Sequence, residues 1–115
     1  MVKSGSKYFL RINTREEIFS KLDLIFKDQK VEREYFWELT IDEDSPHFND
    51  ALVYLTNLVS VNIEKLENLK ISKDEITIWL FFEYESQCNM EFHPYQLKKL
   101  IELDSVFCIS CWEKY

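Results

Sequence analysis

Glycine is almost missing from this sequence: Gly5 is the only one among 115 residues. A glycine-rich phosphate loop needs several positions free to adopt positive φ beside a ligand, so nucleotide binding of that kind is excluded. Proline is as scarce, with only Pro46 and Pro94, which leaves no proline-rich linker and no low-complexity spacer. Basic residues are outnumbered, 14 Lys and Arg against 21 Asp and Glu, for a formal net charge of −7. That charge repels phosphate backbones and anionic lipid, so neither nucleic acid nor a membrane surface is expected as a partner. It suits a basic protein partner, and it serves equally for plain solubility. No apolar stretch long enough for a signal peptide or a membrane span follows the polar residues 1–6. The three cysteines, Cys88, Cys108 and Cys111, cannot all pair within one chain. Both features point to a reducing, cytoplasmic location.

What the sequence does hold is core material: 46% of it is hydrophobic and 16% aromatic. Disorder is excluded at that composition. The length fits one domain over residues 1–115, and a domain of this size buries roughly two-thirds of the surface its unfolded chain exposes. It needs neither a disulfide nor a metal to fold.

Residues 7–13 alternate as a strand, with Tyr8, Leu10 and Ile12 on one side. Thr14 reads as a helix N-cap, and Glu17 three residues later completes a capping box. Ile18, Leu22, Ile25 and Phe26 share a face of the helix that follows, which ends near Lys27. A strand is expected over 34–42, with Tyr35, Trp37, Leu39 and Ile41 on one face. A helix over 47–60, a break at 60–62 where poor helix formers cluster, and a short helix carrying Ile63, Leu66 and Leu69 come next. The strand over 76–85 sets Ile78, Leu80, Phe82 and Tyr84 against Thr77, Trp79, Phe81, Glu83 and Glu85. A short strand at 90–92, a helix opened by Pro94 and a last strand over 106–113 complete the chain. The order predicts an α+β fold: a ferredoxin-like two-layer sandwich, its sheet mostly antiparallel, with an inserted helical segment between two βαβ-like halves.

Signals for catalysis are weak. Cys88, His93, Cys108 and Cys111 are the best metal candidates, and Cys108-Ile109-Ser110-Cys111 has a familiar ligand spacing. On a strand, however, residues three apart point to opposite faces, so buried inert cysteines are expected and no metal or cofactor. A thioredoxin-like role needs a helix N-terminus at the first cysteine, and none follows Cys108. His47 and His93 each lie beside a proline at an expected helix start, which suits a cap better than a catalytic base. The carboxylates at 42–44 lack the spacing and turn glycine of a calcium loop. The chain is expected not to be an enzyme.

Binding has a clearer signal. Phe9, Phe36, Trp79 and Phe81 share the second face of the central strands with Arg11, Glu38, Glu83 and Glu85. If helices cover only the Tyr8, Leu39 and Leu80 side, that face stands open, with aromatic anchors and acidic groups. If the inserted helices cover it, it is core. Stacking on single-stranded RNA would need accompanying basic residues, which are missing.

In layout the chain resembles a bacterial family of small α/β proteins of unknown function. The resemblance rests on residues 8–12, Trp37-Glu38-Leu39, the leucine-rich stretch 52–69, 78–84, Met90-Glu91-Phe92-His93-Pro94, 97–103 and the aromatic ending at 112–115. It spans nearly the whole chain as pattern, without a catalytic motif, and departs after the first helix, where the family tends to carry Gly and Pro. Relatives of this kind resemble immunity proteins of bacterial toxin systems, including contact-dependent growth inhibition. The resemblance implies a cytoplasmic protein that neutralises a basic toxin domain, such as a nuclease, as a monomer or weak homodimer. Glu38, Asp42, Glu43, Asp44, Glu83 and Glu85 are the expected acidic contacts, with Trp79 and Phe81 as anchors. The alternatives are a small Cys/His metal-binding or enzymatic domain and a self-associating structural domain.

Overall fold

The computed structural model describes residues 5–114. Residues 1–4 of the polar opening and Tyr115 of the aromatic ending lie outside it. Strand β1 (Lys7–Ile12) forms where the alternation predicts it. The capping box at Thr14 does not form. Arg15 caps a 3-10 turn at Glu16–Ile18 with no side-chain bond, and α1 runs over Phe19–Ile25. Ile18 and Phe19 are both buried there. Burying a large apolar side chain is worth about 2 kcal/mol and a cap bond about 1, so the core decides how the chain enters the helix.

Two short strands follow, β2 (Val31–Glu32) and β3 (Trp37–Asp42), paired antiparallel. The strand expected from residue 34 begins at Trp37 because Trp37 is the residue opposite Ile12, where β1 ends. Tyr35, expected on the core face, lies in the connection between β2 and β3 and is 82% exposed. After a 3-10 turn at Phe48–Asp50 come α2 (Ala51–Val61) and α3 (Ile63–Asn68), and the break at Asn62 falls where expected. The Asn62 side-chain amide donates to the Leu58 carbonyl at 2.8 Å, satisfying an acceptor that the end of a helix leaves open. Strand β4 (Ile76–Tyr84) is followed by an isolated bridge between Glu85 and Gln87. The strand expected at 90–92 is absent, since residues 88–93 have no regular structure. Helix α4 (Pro94–Leu103) starts at Pro94, with the Gln96 carbonyl accepting the His93 N–H at 2.7 Å. Strand β5 (Val106–Glu113) matches its expected bounds.

The strands form one sheet in the order β2-β3-β1-β4-β5. β1 is antiparallel to both β3 and β4, and only the β4–β5 pair is parallel. The mixed α+β class, the mostly antiparallel sheet and the inserted helices are as expected. The ferredoxin-like order is not what forms. A split βαβ unit keeps another strand between its parallel pair, whereas β4 and β5 are direct neighbours. The first half is not a βαβ unit either, because β1 and β3 are antiparallel neighbours.

One hydrophobic cluster joins the sheet face bearing Leu10, Ile12, Trp37, Leu39, Ile76 and Ile78 to residues of all four helices, among them Leu22, Leu55, Leu66 and Leu100. None of the residues that point the other way from β1, β3 and β4 belongs to that cluster. The inserted helices therefore do not cover the second face. Among the described residues, no helix is long and apolar enough to cross a membrane.

Candidate functional site

Strand register lays out the uncovered face in rows. Glu38, Arg11, Thr77 and Val106 form one row across β3, β1, β4 and β5; Thr40, Phe9, Trp79 and Cys108 form the next. Asp42, Lys7, Phe81 and Ser110 form a third, and Glu83 with Trp112 a fourth. Aromatic rings hold the middle; Asp42 and Glu83 lie toward one end, where the loop of Glu43 and Asp44 continues from β3, and Glu38 lies at the other.

The rings pack on one another. Phe9 stacks parallel on Trp79 at 5.8 Å between centroids and meets Phe81 edge-on at 4.8 Å. Phe81 in turn meets Trp112 edge-on at 5.7 Å. These are the arrangements that ring quadrupoles favour. Phe9 is only 2% exposed without a helix above it; the neighbouring side chains bury it. Trp79 and Phe81 are half-buried and Trp112 is 38% exposed.

Arg11 organises one end. Its guanidinium lies 4.3 Å from the Phe36 ring centroid, 4.5 Å from Trp79 and 5.2 Å from Phe9. Its Nε donates to the Glu38 carboxylate at 2.8 Å. A planar cation placed between rings and a carboxylate meets all of them at once, which an ammonium cannot do. Lys7 lies over Phe81 at 5.6 Å. The face thus carries its own cations among its rings.

Those cations change the expected role of the acids. Glu38 is paired with Arg11. Asp42 accepts from Lys30 Nζ at 2.8 Å and from the Asp44 N–H at 3.0 Å, and the carboxylate raises the Lys30 pKa above its ordinary 10.5. Glu83 accepts from the Trp112 indole at 3.2 Å and lies 3.7 Å from Lys114 Nζ. Glu43 accepts the Ser6 N–H at 3.2 Å. Asp44 and Glu85 are exposed. All eight residues expected from the sequence lie on this face or in the segments that continue its β3 and β4 strands, and Glu38, Asp42 and Glu83 each already face a cation.

Gly5 also belongs to this end. At φ +83 it lies against Glu83, and a Cβ there would come within 2.6 Å of Oε2. The only glycine in the chain serves close packing under a carboxylate. The sequence placed Phe9 on this face but gave no such role to Trp112 or Lys7. Alternation along β5 puts Trp112 with Cys108 and Ser110, but only the pairing of β5 with β4 brings it to Phe81 and Glu83.

The metal alternative is not assembled. Among the described residues, no group of three or more His, Cys, Asp or Glu is arranged to hold a metal ion. Cys108 and Cys111 point to opposite faces of β5, and His93 stacks against Tyr95 at the start of α4. Cys88 and Cys111 do meet, with their sulfurs 3.9 Å apart. Local desolvation, and then the hydrogen bond to Cys111, push the Cys88 thiol up from its ordinary range. On the helical face a cleft of about 240 Å³ lies between Tyr8, Phe48, Leu80, Phe82 and Met90. It brings together no acid-base pair.

No family model, curated protein or solved structure matches this chain.

Proposed function

We propose that this chain is a protein-binding module of the immunity type, which neutralises a basic toxin domain by docking it on the uncovered face of the sheet. One observation carries the reading: a row of aromatic rings, from Phe9 to Trp112, crosses a sheet face that no helix covers. Rigid aromatic side chains already packed together lose little conformational entropy on binding, which makes them good anchors. The acidic end, with Asp44 and Glu85 exposed, adds attraction for a basic surface. Trp79 and Phe81 anchor the partner. Glu38, Asp42, Glu43, Asp44, Glu83 and Glu85 face its cations or exchange their present partners for them.

The test is co-expression with the C-terminal domain of whatever product is encoded immediately upstream. Protection from that domain's toxicity and a one-to-one complex are expected. Trp79→Ala combined with Phe81→Ala should abolish both while the circular dichroism spectrum stays unchanged. No complex at micromolar concentration would remove the proposal.

A second reading has its own observation. β5 is one of the two outer strands of the sheet, and residues 106–112 carry no charge, whereas natural edge strands are usually protected by charges. Val106 and Ile109 on it are 60% and 42% exposed. Pairing of β5 with a second copy would make the chain a self-associating domain. Light scattering of the wild type and of Ile109→Lys decides between the two: a dimer that the lysine dissociates favours this reading, and a monomer in both removes it.

A further inference from the structure

We propose that Cys88 and Cys111 are a modification site: a dithiol that a low-molecular-weight disulfide of the glutathione class oxidises to an intramolecular disulfide. The two sulfurs are 3.9 Å apart and both residues are exposed. A disulfide needs them at about 2.05 Å, so roughly 2 Å of approach remains. Side-chain rotation supplies part of that. The backbone supplies the rest, because Cys88 lies in the stretch 88–93, which has no regular structure. Cys111 is held on β5 opposite Phe82, so it is the turn that moves.

Cys108 provides an internal control. It lies on the same strand, but its side chain belongs to the opposite face, beside Trp79. Cys111 is not within its reach without unpairing β5, and the sulfur that Cys88 meets is that of Cys111. Of the three possible pairings, the geometry permits one.

The chemistry closes without a further reagent. One protein thiol gives up its proton, and its thiolate attacks a sulfur of the small disulfide. The first protein–glutathione bond forms and one glutathione thiolate leaves. The second protein thiol, deprotonated in turn, attacks the protein sulfur of that mixed disulfide. The Cys88–Cys111 bond forms and the second glutathione thiolate leaves. The two protein thiols lose two electrons and two protons, and the small disulfide gains them as two thiols.

Oxidation would also reach the cleft on the helical face. Asn89, Met90, Glu91 and Phe92 line it, and they follow Cys88 directly. A covalent tie at Cys88 anchors the start of this wall to the edge strand and restricts how far it opens.

The test uses the full chain equilibrated over a series of oxidised-to-reduced glutathione ratios, quenched by acid, alkylated under denaturing conditions and mapped by mass spectrometry. The expected oxidised product is monomeric, lighter by two hydrogens, with a linked Cys88–Cys111 peptide and Cys108 as the one alkylated residue. Cys108→Ser should oxidise at the same ratio. Cys88→Ser and Cys111→Ser should stop at a glutathione adduct on the remaining partner. The proposal is overturned if all three thiols persist at ratios that oxidise the chain in urea. It is overturned equally if Cys108 appears in the linked peptide, or if the wild type yields only stable adducts or intermolecular dimers. The serines at 88 and 111 replace exposed side chains and the one at 108 a half-buried one, and a circular dichroism spectrum of each variant establishes that it is folded.

Discussion

Arg11 is the residue on which the uncovered face depends most. Its guanidinium touches three aromatic rings and a carboxylate, and its side chain is only 22% exposed. Lysine keeps the charge but loses the planar stacking. Arg11→Lys is expected to cost about 1–2 kcal/mol, read as a lower urea midpoint with unchanged slope; an unchanged midpoint would mean that the rings hold the face without the cation. On the covered side, Trp37 is fully buried and its indole N–H donates to Asp23 at 2.9 Å. The bond explains how the core accommodates an indole, because a buried donor without a partner costs about 1–3 kcal/mol. Tyr8 has a pH consequence. Burial raises its pKa above the ordinary 10.0, so the folded protein holds the phenol proton after the unfolded chain has released it. The stability this contributes is complete below the unfolded value and is lost as pH rises through the folded one. Denaturation midpoints should therefore fall above about pH 10, and Tyr8→Phe should fall less steeply over the same range. Parallel slopes in the two proteins would remove the effect.

At the scale of elements, the left-handed conformation recurs at helix ends, with Lys70 after α3 at φ 64 and Asp104 after α4. Asp104 closes α4 in the left-handed conformation, at φ 57. A side chain costs energy there that glycine avoids. The Lys73 contact at 4.0 Å is between two exposed groups and contributes little. Asp104→Gly is expected to stabilise the protein by up to about 1 kcal/mol, seen as a higher thermal midpoint. A lower one would mean that the aspartate contributes more than its backbone costs. The bounds of β4 and β5 and the break between α2 and α3 were legible because the strand patterns are long and poor helix formers make the break, whereas α2 begins at Ala51, after a 3-10 turn, rather than at 47. The start of α1 moves from the expected cap at 14 to Phe19 and that of β3 from 34 to Trp37: the pairing of Trp37 with Ile12 and the burial of Ile18 and Phe19 outweigh local signals. The strand expected at 90–92 is too short to compete, since α4 must begin at Pro94 to return the chain for β5.

For the whole molecule, a net charge of −7 acts on the proposed basic partner at long range. Electrostatic steering raises association rates by roughly 10- to 1,000-fold. Here Glu38, Asp42 and Glu83 already face Arg11, Lys30 and Lys114, so the low end applies. Association with a basic partner should slow by about tenfold between low and physiological salt. Glu85→Lys should lower the rate at low salt and flatten that dependence. A rate indifferent to salt would leave the aromatic anchors as the whole basis of binding.

The sequence by itself determined the composition of the core, the α+β class, the alternation that separates Trp79 and Phe81 from Ile78 and Leu80, and the opposition of Cys108 to Cys111. All of these follow from local periodicity, which each strand carries in its own residues. Tertiary structure alone decided which strands are neighbours. That one choice made β4 and β5 an adjacent parallel pair, brought Trp112 to Glu83 and Cys111 to Cys88, and left the aromatic face without a helix. The reason is physical: a strand's hydrogen-bonding edges are the same backbone groups whatever its side chains, so its alternation shows which face is buried but not which strand lies beside it.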